Sequence, residues 1–423
     1  MHNLLFLVHR IPFPPNKGDK VRSFHLLRHL AGHYRVWLGT FVDDPDDWQH
    51  LDEVRRFCAD VYCAPLEPHR AKLWSLRGLA TGEPLTLPYY RHTGLQTWVD
   101  RVVAEQRIER ALVFSSAMAQ YLRHPPLDRL RRVMDFVDAD SAKWAQYADG
   151  KRWPLSWIYR RESQRLLAFE RTVAREFAAS VFVTADEAAL FRQLAPEVPA
   201  ERVLAVSNGV DTDYFNPEQD YPNPYLAKER VLVFTGAMDY WANVDAVEWF
   251  ARTVFPEIHR TVPDCQFYIV GARPAATVQQ LASLPGVKVT GTVPDVRPYI
   301  AHAEFSVAPL RIARGVQNKV LEAMAMGKPV LATSAAMEGI GPSQRSSNPA
   351  ITTTLLQPLD RPFEKKELEG VLVADDPAEL VQQALAFLGN PVETEKAGRS
   401  GREWVLRHYD WDGNLSRIVP LLD

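Results

Sequence analysis

The amino-acid sequence predicts an α/β protein with two doubly wound domains, each built on a parallel sheet. Short apolar segments alternate with longer amphipathic segments along most of the chain, which is typical of parallel α/β sheets. The alternation is interrupted at the turn-forming pair Asn208-Gly209 and the proline-containing stretch 220–228, and then resumes; the stretch 338–369 also lacks clear periodicity, and most of it is expected to be a surface insertion. Several of the apolar segments are followed directly by glycine, at the sheet edge where such folds bind ligands.

The length of 423 residues is enough for two to three domains, and 46% hydrophobic and 24% charged residues are typical of ordinary globular proteins. The net charge of −3 gives no support for nucleic-acid binding. Residues 1–206 carry a net charge of +4 and the remainder −7, so one region of the first half is suited to an anionic partner.

Three cysteines, Cys58, Cys63 and Cys265, are odd in number and lack the spacing of metal ligands, which predicts reduced thiols in a cytoplasmic protein. The apolar run 4–8 is too short for the core of a signal peptide, and no run approaches the length that spans a bilayer. Any membrane contact is therefore expected to be peripheral.

The first domain is expected to comprise residues 1–208. Continuous apolar segments are typical of strands that are buried on both faces of a parallel sheet. Such segments lie at residues 3–8, 36–41, 60–64, 111–114, 133–137, 180–184 and 203–206. Apolar residues at helical spacing predict helices at 95–105 and about 157–177. No Gly-x-Gly-x-x-Gly follows any of these strands, so a dinucleotide-dependent oxidoreductase is poorly supported.

Two loops of this domain carry candidate ligand-binding residues. The proline-rich loop 12–20 joins the first strand to the first helix, and Gly18 permits close approach of the backbone to a ligand. Asp138 and Asp140 follow the fifth strand, where carboxylates face a ligand crevice, although capping of the next helix is an equally good interpretation of Asp140.

The section 143–161 interleaves tryptophan and tyrosine with lysine and arginine. That composition suits contact with the headgroups of an anionic membrane or with an anionic lipid-linked acceptor. A solvated basic face whose tryptophans pack into the core is the alternative interpretation.

The second domain is expected to comprise residues 209–400, with a helical segment at 401–423 after it. Its predicted strands lie at residues 231–235, 266–270, 287–290, 305–308, 329–333 and 371–373. Gly236, Gly271 and Gly291 each follow one of these strands directly. Three such glycines in one sheet favour a nucleotide pocket.

The stretch 311–333 is predicted to form a loop, a helix, a tight turn at Gly327 and a buried strand. Gly315 precedes the helix, so the helix N-terminus offers free N–H groups to an anion, and Lys319 adds a full charge. Glu322 shares one helical face with Lys319 and is placed to accept hydrogen bonds from hydroxyl groups. A diphosphate attached to a ribose fits both features, whereas a buried helix whose Lys and Glu pair with each other is the alternative.

This stretch resembles the signature of retaining glycosyltransferase family 4, a group of nucleotide-sugar-dependent enzymes with the GT-B fold. The signature is a Glu, seven residues, and a second Glu that leads into Ala-Met-Ala-x-Gly-x-Pro-Val. Glu322 stands at the second Glu, and residues 323–330 match the run that follows it. The sequence Asn-Gly-Val-Asp at 208–211 resembles the junction between the two domains of the same family. The first Glu is replaced by Arg314.

The resemblance implies two Rossmann-like domains that face a central cleft, with residues 401–423 crossing back to the first domain. It implies transfer of a sugar from a nucleotide diphosphate sugar to an acceptor hydroxyl with retention of the anomeric configuration and without a metal cofactor. Donor-binding residues implied by the resemblance are Gly18, Gly236, Asn243, Thr292, Val293, Gly315, Val316, Gln317 and Glu322. Catalytic residues would be Lys319, Arg314 and Asp138, and residues on the acceptor side would be Lys20 and Asp140.

Taken together, the stretches 12–22, 138–144 and 314–322 are similar to sugar transferases associated with bacterial exopolysaccharide and PEP-CTERM (exosortase) systems. This implies a glycan or lipid-linked acceptor and weak contact with an anionic membrane. Because an arginine cannot accept a hydrogen bond, our hypothesis is that Arg314 holds the diphosphate rather than the sugar. An epimerase acting on the nucleotide sugar, or an inactive nucleotide-sugar-binding partner of a glycan export system, are the alternatives. No motif specifies the base, the sugar or the acceptor.

Overall fold

A computed structural model describes residues 1–15, 18–313, 315–340 and 370–423. These residues form two compact units. The first unit contains residues 1–208 and 412–423, and the second contains the described residues between 209 and 411.

Among the described residues, the first unit has a seven-stranded sheet in which every neighbouring pair is parallel. The strands are β1 (His2–Val8), β2 (Tyr34–Val42), β3 (Asp60–Pro65), β4 (Arg110–Phe114), β5 (Arg131–Val137), β6 (Ala179–Phe182) and β7 (Val203–Ala205). Their order is β3-β2-β1-β4-β5-β6-β7, so the direction of winding reverses between β1 and β4. Open α/β sheets bind ligands at such a switch point, beyond the carboxyl ends of the strands.

Helices connect these strands. They are α1 (Gly18–His33), α2 (Leu51–Arg55), α3 (Pro68–Ser75), α4 (Arg77–Thr81), α5 (Thr86–Tyr89), α6 (Thr93–Gln106), α7 (Asp140–Asp149), α8 (Leu155–Glu176) and α9 (Ala185–Leu194). Leu4 to Val8 of β1 are fully buried, as expected for a strand covered on both faces.

The described part of the second unit has a six-stranded parallel sheet. Its strands are β8 (Arg230–Thr235), β9 (Cys265–Val270), β10 (Val287–Gly291), β11 (Phe305–Ala308), β12 (Val330–Ala332) and β13 (Val371–Val373). The order β10-β9-β8-β11-β12-β13 places its switch point between β8 and β11. These strands confirm the predicted strands of both domains. Uninterrupted apolar segments are a strong signal for buried parallel strands, which is why the sequence predicted them.

Helices of the second unit pack on both faces of this sheet, since alternate residues of β8 belong to two separate apolar clusters. They are α10 (Trp241–Trp249), α11 (Phe255–Thr261), α12 (Ala276–Gln280), α13 (Arg297–His302), α14 (Asn318–Ala325), α15 (Pro377–Gly389) and α16 (Pro391–His408). The helix predicted within the stretch 311–333 begins at Asn318, since Gln317 has an extended backbone. Gly327 has a φ of 66°, which confirms the expected left-handed residue after this helix.

The chain ends with α17 (Trp411–Leu415) and α18 (Val419–Leu422). Residues 412–423 belong to the first unit, whereas residues 401–408, which the sequence analysis grouped with them, lie in α16 of the second unit. Asp423 holds this end in place by accepting hydrogen bonds from Arg110 (2.6 Å) and Tyr34 (3.1 Å). Within the described residues, no helix combines the length and the apolar character required to cross a membrane.

Candidate functional site

The switch point of the second unit brings Gly236 and the described residues of the loop between β11 and α14, 309–313 and 315–317, to one edge of the sheet. Gly236 follows β8, and the loop leaves the neighbouring strand β11 and leads into α14. Gly315 has a φ of 69°, in the left-handed region that glycine adopts without strain. Arg311 of this loop is paired with Asp245 of α10, which holds the start of the loop beside α10.

The N-terminus of α14 is open to an anion. Gln317 is the N-cap residue, and its side chain makes no capping hydrogen bond. The backbone N–H groups of the first turn therefore lack the side-chain acceptor that usually satisfies them. Together with the helix dipole, they favour a negatively charged ligand at this position.

Lys319 lies in the first turn of α14 and is held by neutral groups. Its Nζ donates to Oδ1 of Asn243 at 2.8 Å and lies 5.0 Å from the ring centroid of Phe234. Asn243 in turn donates from Nδ2 to the carbonyl of Ala237 at 2.9 Å. A Cβ on Gly236 would lie 2.8 Å from Nδ2 of Asn243, so glycine is what permits Asn243 to reach Lys319. Burial lowers the pKa of Lys319 to about 8.

Glu322 is half-buried one turn further along α14. Burial raises the pKa of its carboxyl to about 7, and the nearby charge of Lys319 opposes that rise. Among the described residues, the carboxylate accepts no hydrogen bond from another side chain or N–H group and forms no ion pair. A hydroxyl-rich ligand at α14 would therefore find a carboxylate with unused acceptor capacity.

The two residues predicted to lie by the base follow β10. Thr292 is exposed, whereas Val293 packs against the small apolar cluster that includes Val231 and Tyr268. Gly271, at the end of the neighbouring strand β9, has no space for a side chain, since a Cβ would lie 1.7 Å from the carbonyl oxygen of Gly236. This close approach draws the ends of β8 and β9 together at the sheet edge.

Sequence reasoning missed an aromatic and charged cluster beside this edge. The guanidinium of Arg297 lies 3.8 Å from the ring centroid of Tyr214 and pairs with Asp295 at 2.7 Å. Burial raises the pKa of the Tyr214 phenol, and the charges of Asp295 and Glu322 add to the rise. Tyr214 thus lies near Glu322. The sequence signal was an Asp-x-Arg pair after Val293, which is too common a pattern to single out.

In the first unit, the structure brings Asp138 and Asp140 together around one cation. Lys143 of α7 lies 2.7 Å from Asp138 and 3.4 Å from Asp140. Burial raises the pKa of Asp140, and the Lys143 charge opposes that rise. Asp140 does not cap α7, because the N-cap residue is Ala139 and no side chain caps it.

Glu170 of α8 is a buried carboxyl that the sequence analysis did not single out. It accepts from the Ser141 backbone N–H at 3.2 Å and from the Ser141 hydroxyl at 2.5 Å. Burial raises the pKa of Glu170 to about 8, with the charge of Asp140 adding to the rise. No local sequence pattern could have found it, since a Glu in the middle of an amphipathic helix is usually exposed.

The remaining predicted residues of the first unit differ in exposure. Gly18 is the exposed first residue of α1, and a Cβ there would meet nothing within 4 Å. Lys20 is fully buried and pairs with Asp47 at 2.5 Å, so its charge is already neutralised and its ammonium does not reach an open crevice. Arg314 lies outside the described residues.

Residues 229–390 match the family model described as glycosyl transferases group 1. The second unit is a glycosyltransferase domain. A comparison with curated proteins gives no match.

Solved structures match along almost the whole chain. Sucrose-phosphate synthase from Thermosynechococcus elongatus is 16% identical with a TM-score of 0.66, over 100% of this chain and 98% of that one. WaaG, a glycosyltransferase involved in lipopolysaccharide biosynthesis, is 16% identical with a TM-score of 0.63, over 99% of both chains. Anabaena HepE in complex with UDP is 14% identical with a TM-score of 0.63, over 100% of this chain and 99% of that one. These matches confirm the predicted GT-B fold of the glycosyltransferase.

Proposed function

We propose that this glycosyltransferase belongs to retaining family 4 and moves a sugar from a nucleotide diphosphate sugar to an acceptor hydroxyl. The observation that carries the proposal is the position of Lys319, in the first turn of α14 at the switch point of the second unit. Its ammonium is held by the neutral Asn243 at 2.8 Å and so keeps its charge for a ligand. The Glu322 carboxyl follows on the same helix.

Each part of the donor has a partner in this scheme. The diphosphate lies at the α14 N-terminus, where the N–H groups and Lys319 offset its charge. Glu322 accepts from the ribose hydroxyls, and the base lies by Thr292 and Val293. Structures of HepE hold UDP and UDP-glucose, which supports a uridine nucleotide as the first donor to test.

The chemistry requires stabilisation of the departing diphosphate, and preorganised cations and N–H groups provide it without a metal ion. Lys319 supplies one cation at this position, and Arg314 is proposed to add a second one. An arginine there would act more strongly on the leaving group than on the bound substrate, because negative charge develops on the diphosphate in the transition state.

Asp138 is proposed as the catalytic carboxylate of the first unit, with Asp140 as an acceptor-side residue. Lys143 holds both side chains in place, since it lies within 3.4 Å of each carboxylate. Lys20 contributes indirectly in this scheme, because its pairing with Asp47 joins α1 to the segment after β2 and does not leave the ammonium free to contact an acceptor.

The acceptor is proposed to be a glycan or a lipid-linked sugar in exopolysaccharide or cell-surface glycan assembly, in a PEP-CTERM (exosortase) setting. The enzyme would act in the cytoplasm with weak, peripheral contact to an anionic membrane. The interleaved aromatic and basic residues at 143–161 support this setting.

The test is incubation of the protein with UDP-, GDP-, TDP- and ADP-linked sugars and a set of glycan and lipid-linked acceptors. Proton NMR of the product reports the anomeric configuration, which is expected to match that of the donor. Arg314→Ala is expected to lower turnover at least about tenfold, equivalent to roughly 1.4 kcal/mol. Arg314→Glu is expected to lower it further, because a carboxylate would face the phosphate.

Three results would contradict parts of the proposal. Isomerised donor without transfer would identify an epimerase, and nucleotide binding without turnover would identify an inactive binding partner. If Arg314→Glu matches or exceeds the unmodified enzyme, position 314 contacts the sugar and not the diphosphate.

A further inference from the structure

Two segments of the first unit hold large apolar side chains in solvent. The first segment is 68–82, which contains α3 and α4, and the second is 151–165, which contains the start of α8. Leu73 and Trp74 are 70% and 57% exposed, and Trp153 and Trp157 are 81% and 55% exposed. Leu76, Leu79 and Leu155 are exposed in the same two segments. Single exposed apolar residues are ordinary, but a concentration of this kind marks a binding surface.

The structure joins the two segments. Arg161 of α8 donates to the carbonyl of Gly78 in α4 and to the carbonyl of Glu83 (3.3 Å). The neighbouring Glu162 accepts from the backbone N–H groups of Leu85 (2.6 Å) and Thr86 (3.0 Å). Because these contacts pin 68–82 against the start of α8, the exposed side chains lie on adjoining parts of one surface, here named the aromatic–basic surface.

The charge of this surface is positive. The two segments contain a single acidic residue, Glu162, and its side chain is buried. The exposed basic residues are Arg70, Lys72, Arg77, Lys151, Arg152, Arg160 and Arg165. Arg160 and Arg165 line an open cavity of about 440 Å³ with Trp157 and Gln164. Asp149 lies 3.7 Å from Arg160 and offsets part of its charge.

We propose that the aromatic–basic surface docks on an anionic lipid bilayer. Leucine and tryptophan side chains of the two segments would enter the headgroup layer, and the surrounding arginines and lysines would contact lipid phosphates. The cavity at Arg160 and Arg165 has the charge and size to take one phosphate headgroup. The inference rests on the proposed function, because a lipid-linked acceptor would then lie in the membrane that this surface contacts.

This surface goes beyond the section 143–161 that the sequence indicated. Its other half, around Leu73 and Trp74, has a single tryptophan among Arg70, Lys72 and Arg77, which is too short a pattern to single it out in the sequence. Arg161, moreover, is not a lipid ligand in this scheme, since its guanidinium holds the two segments together. Charge reversal at Arg161 would test packing rather than docking.

The experiment is co-sedimentation of the full chain with phosphatidylcholine vesicles that contain or lack phosphatidylglycerol, at low and high salt and without any nucleotide sugar. Two variants remove the apolar part, Leu73→Ser with Trp74→Ser and Trp153→Ser with Trp157→Ser. The matched control, Leu226→Ser with Val392→Ser, replaces side chains that are 68% and 72% exposed elsewhere on the protein. A thermal melt of each variant confirms folding.

Either surface variant is expected to weaken binding to the anionic vesicles about tenfold or more, while the control stays within about twofold of the unmodified protein. High salt is expected to weaken binding of the unmodified protein. Equal binding to vesicles without phosphatidylglycerol, or control-like binding by both surface variants, would overturn the inference. Because no donor is present, failure here leaves sugar transfer to a soluble acceptor to be judged separately.

Discussion

The affinity of the second unit for UDP should fall as the pH rises through 8, because Lys319 loses its charge there. Burial lowers the pKa of this lysine to about 8, and its Nζ is held by a neutral amide rather than by a carboxylate. A diphosphate at the α14 N-terminus would gain from the ammonium form but not from the neutral amine.

The size of the effect follows from the pKa. With half-ionisation at pH 8, the protonated fraction of Lys319 is about nine-tenths at pH 7 and about one-tenth at pH 9. If only the ammonium form binds the diphosphate, affinity falls about tenfold over this range, equivalent to roughly 1.4 kcal/mol. The phosphate itself contributes little to the change, since its second pKa lies near 6.

Isothermal titration calorimetry with UDP at pH 7, 8 and 9 measures this change. Lys319→Arg is the matched control, because a guanidinium remains charged across the range and should flatten the pH dependence. Uridine is the second control, since it lacks the diphosphate and should bind with no transition near pH 8.

A UDP affinity that stays constant between pH 7 and 9 would refute the assignment of Lys319 to the diphosphate. The same dependence of UDP affinity on pH in Lys319→Arg would refute the assignment as well, because a group other than Lys319 would then be titrating.

Three further predictions concern Glu322, Gly271 and Glu170. Glu322→Ala should weaken UDP binding by about 1.5–3 kcal/mol in calorimetry without unfolding the protein, and unchanged affinity would exclude a ribose contact. Gly271→Ala should lower the melting temperature sharply, since its Cβ would lie 1.7 Å from the Gly236 carbonyl oxygen. Gly32→Ala in α1 is the control, because a Cβ there meets nothing within 4 Å and should not lower the melting temperature. Glu170 has a folded-state pKa of about 8, so its contribution to stability is full below about pH 4.5 and declines as the pH rises through 8. Urea denaturation at pH 5.5 and 8.5 measures how much free energy of unfolding is lost between the two pH values. This loss should be smaller for Glu170→Gln than for the unmodified protein, and equal losses would contradict the pKa.

The fold was predictable because parallel sheets leave a strong pattern. Both faces of β1 and β8 are covered, so each reads as an unbroken apolar run, and the glycines that end β8 to β10 mark the sheet edge. Helix boundaries were less certain. The start of α14 depends on the extended backbone of Gln317, which no residue type dictates.

The structure brings several residues predicted for the donor side to one edge of the second sheet. Gly236, Gly315, Lys319 and Glu322 are close in sequence to strand and helix ends, so local patterns located them. The partners that set their chemistry were not visible in this way. The Tyr214–Arg297 contact joins residues that are far apart in the chain, and such pairings follow from tertiary packing rather than from spacing.

Lys20 and Lys319 show why residue type and position in the sequence are insufficient to assign an anion-binding role to a lysine. Both lysines follow a glycine near the start of the helix that leaves a switch-point strand, β1 for Lys20 and β11 for Lys319. The difference lies in the partner: Lys20 meets the Asp47 carboxylate at 2.5 Å, whereas Lys319 meets the Asn243 amide at 2.8 Å. A carboxylate cancels the charge that a diphosphate would use, and an amide positions the ammonium without cancelling it. A glycine and a lysine near the start of such a helix therefore give a closed ion pair in the first unit, whereas in the second unit they belong to the anion site that we propose.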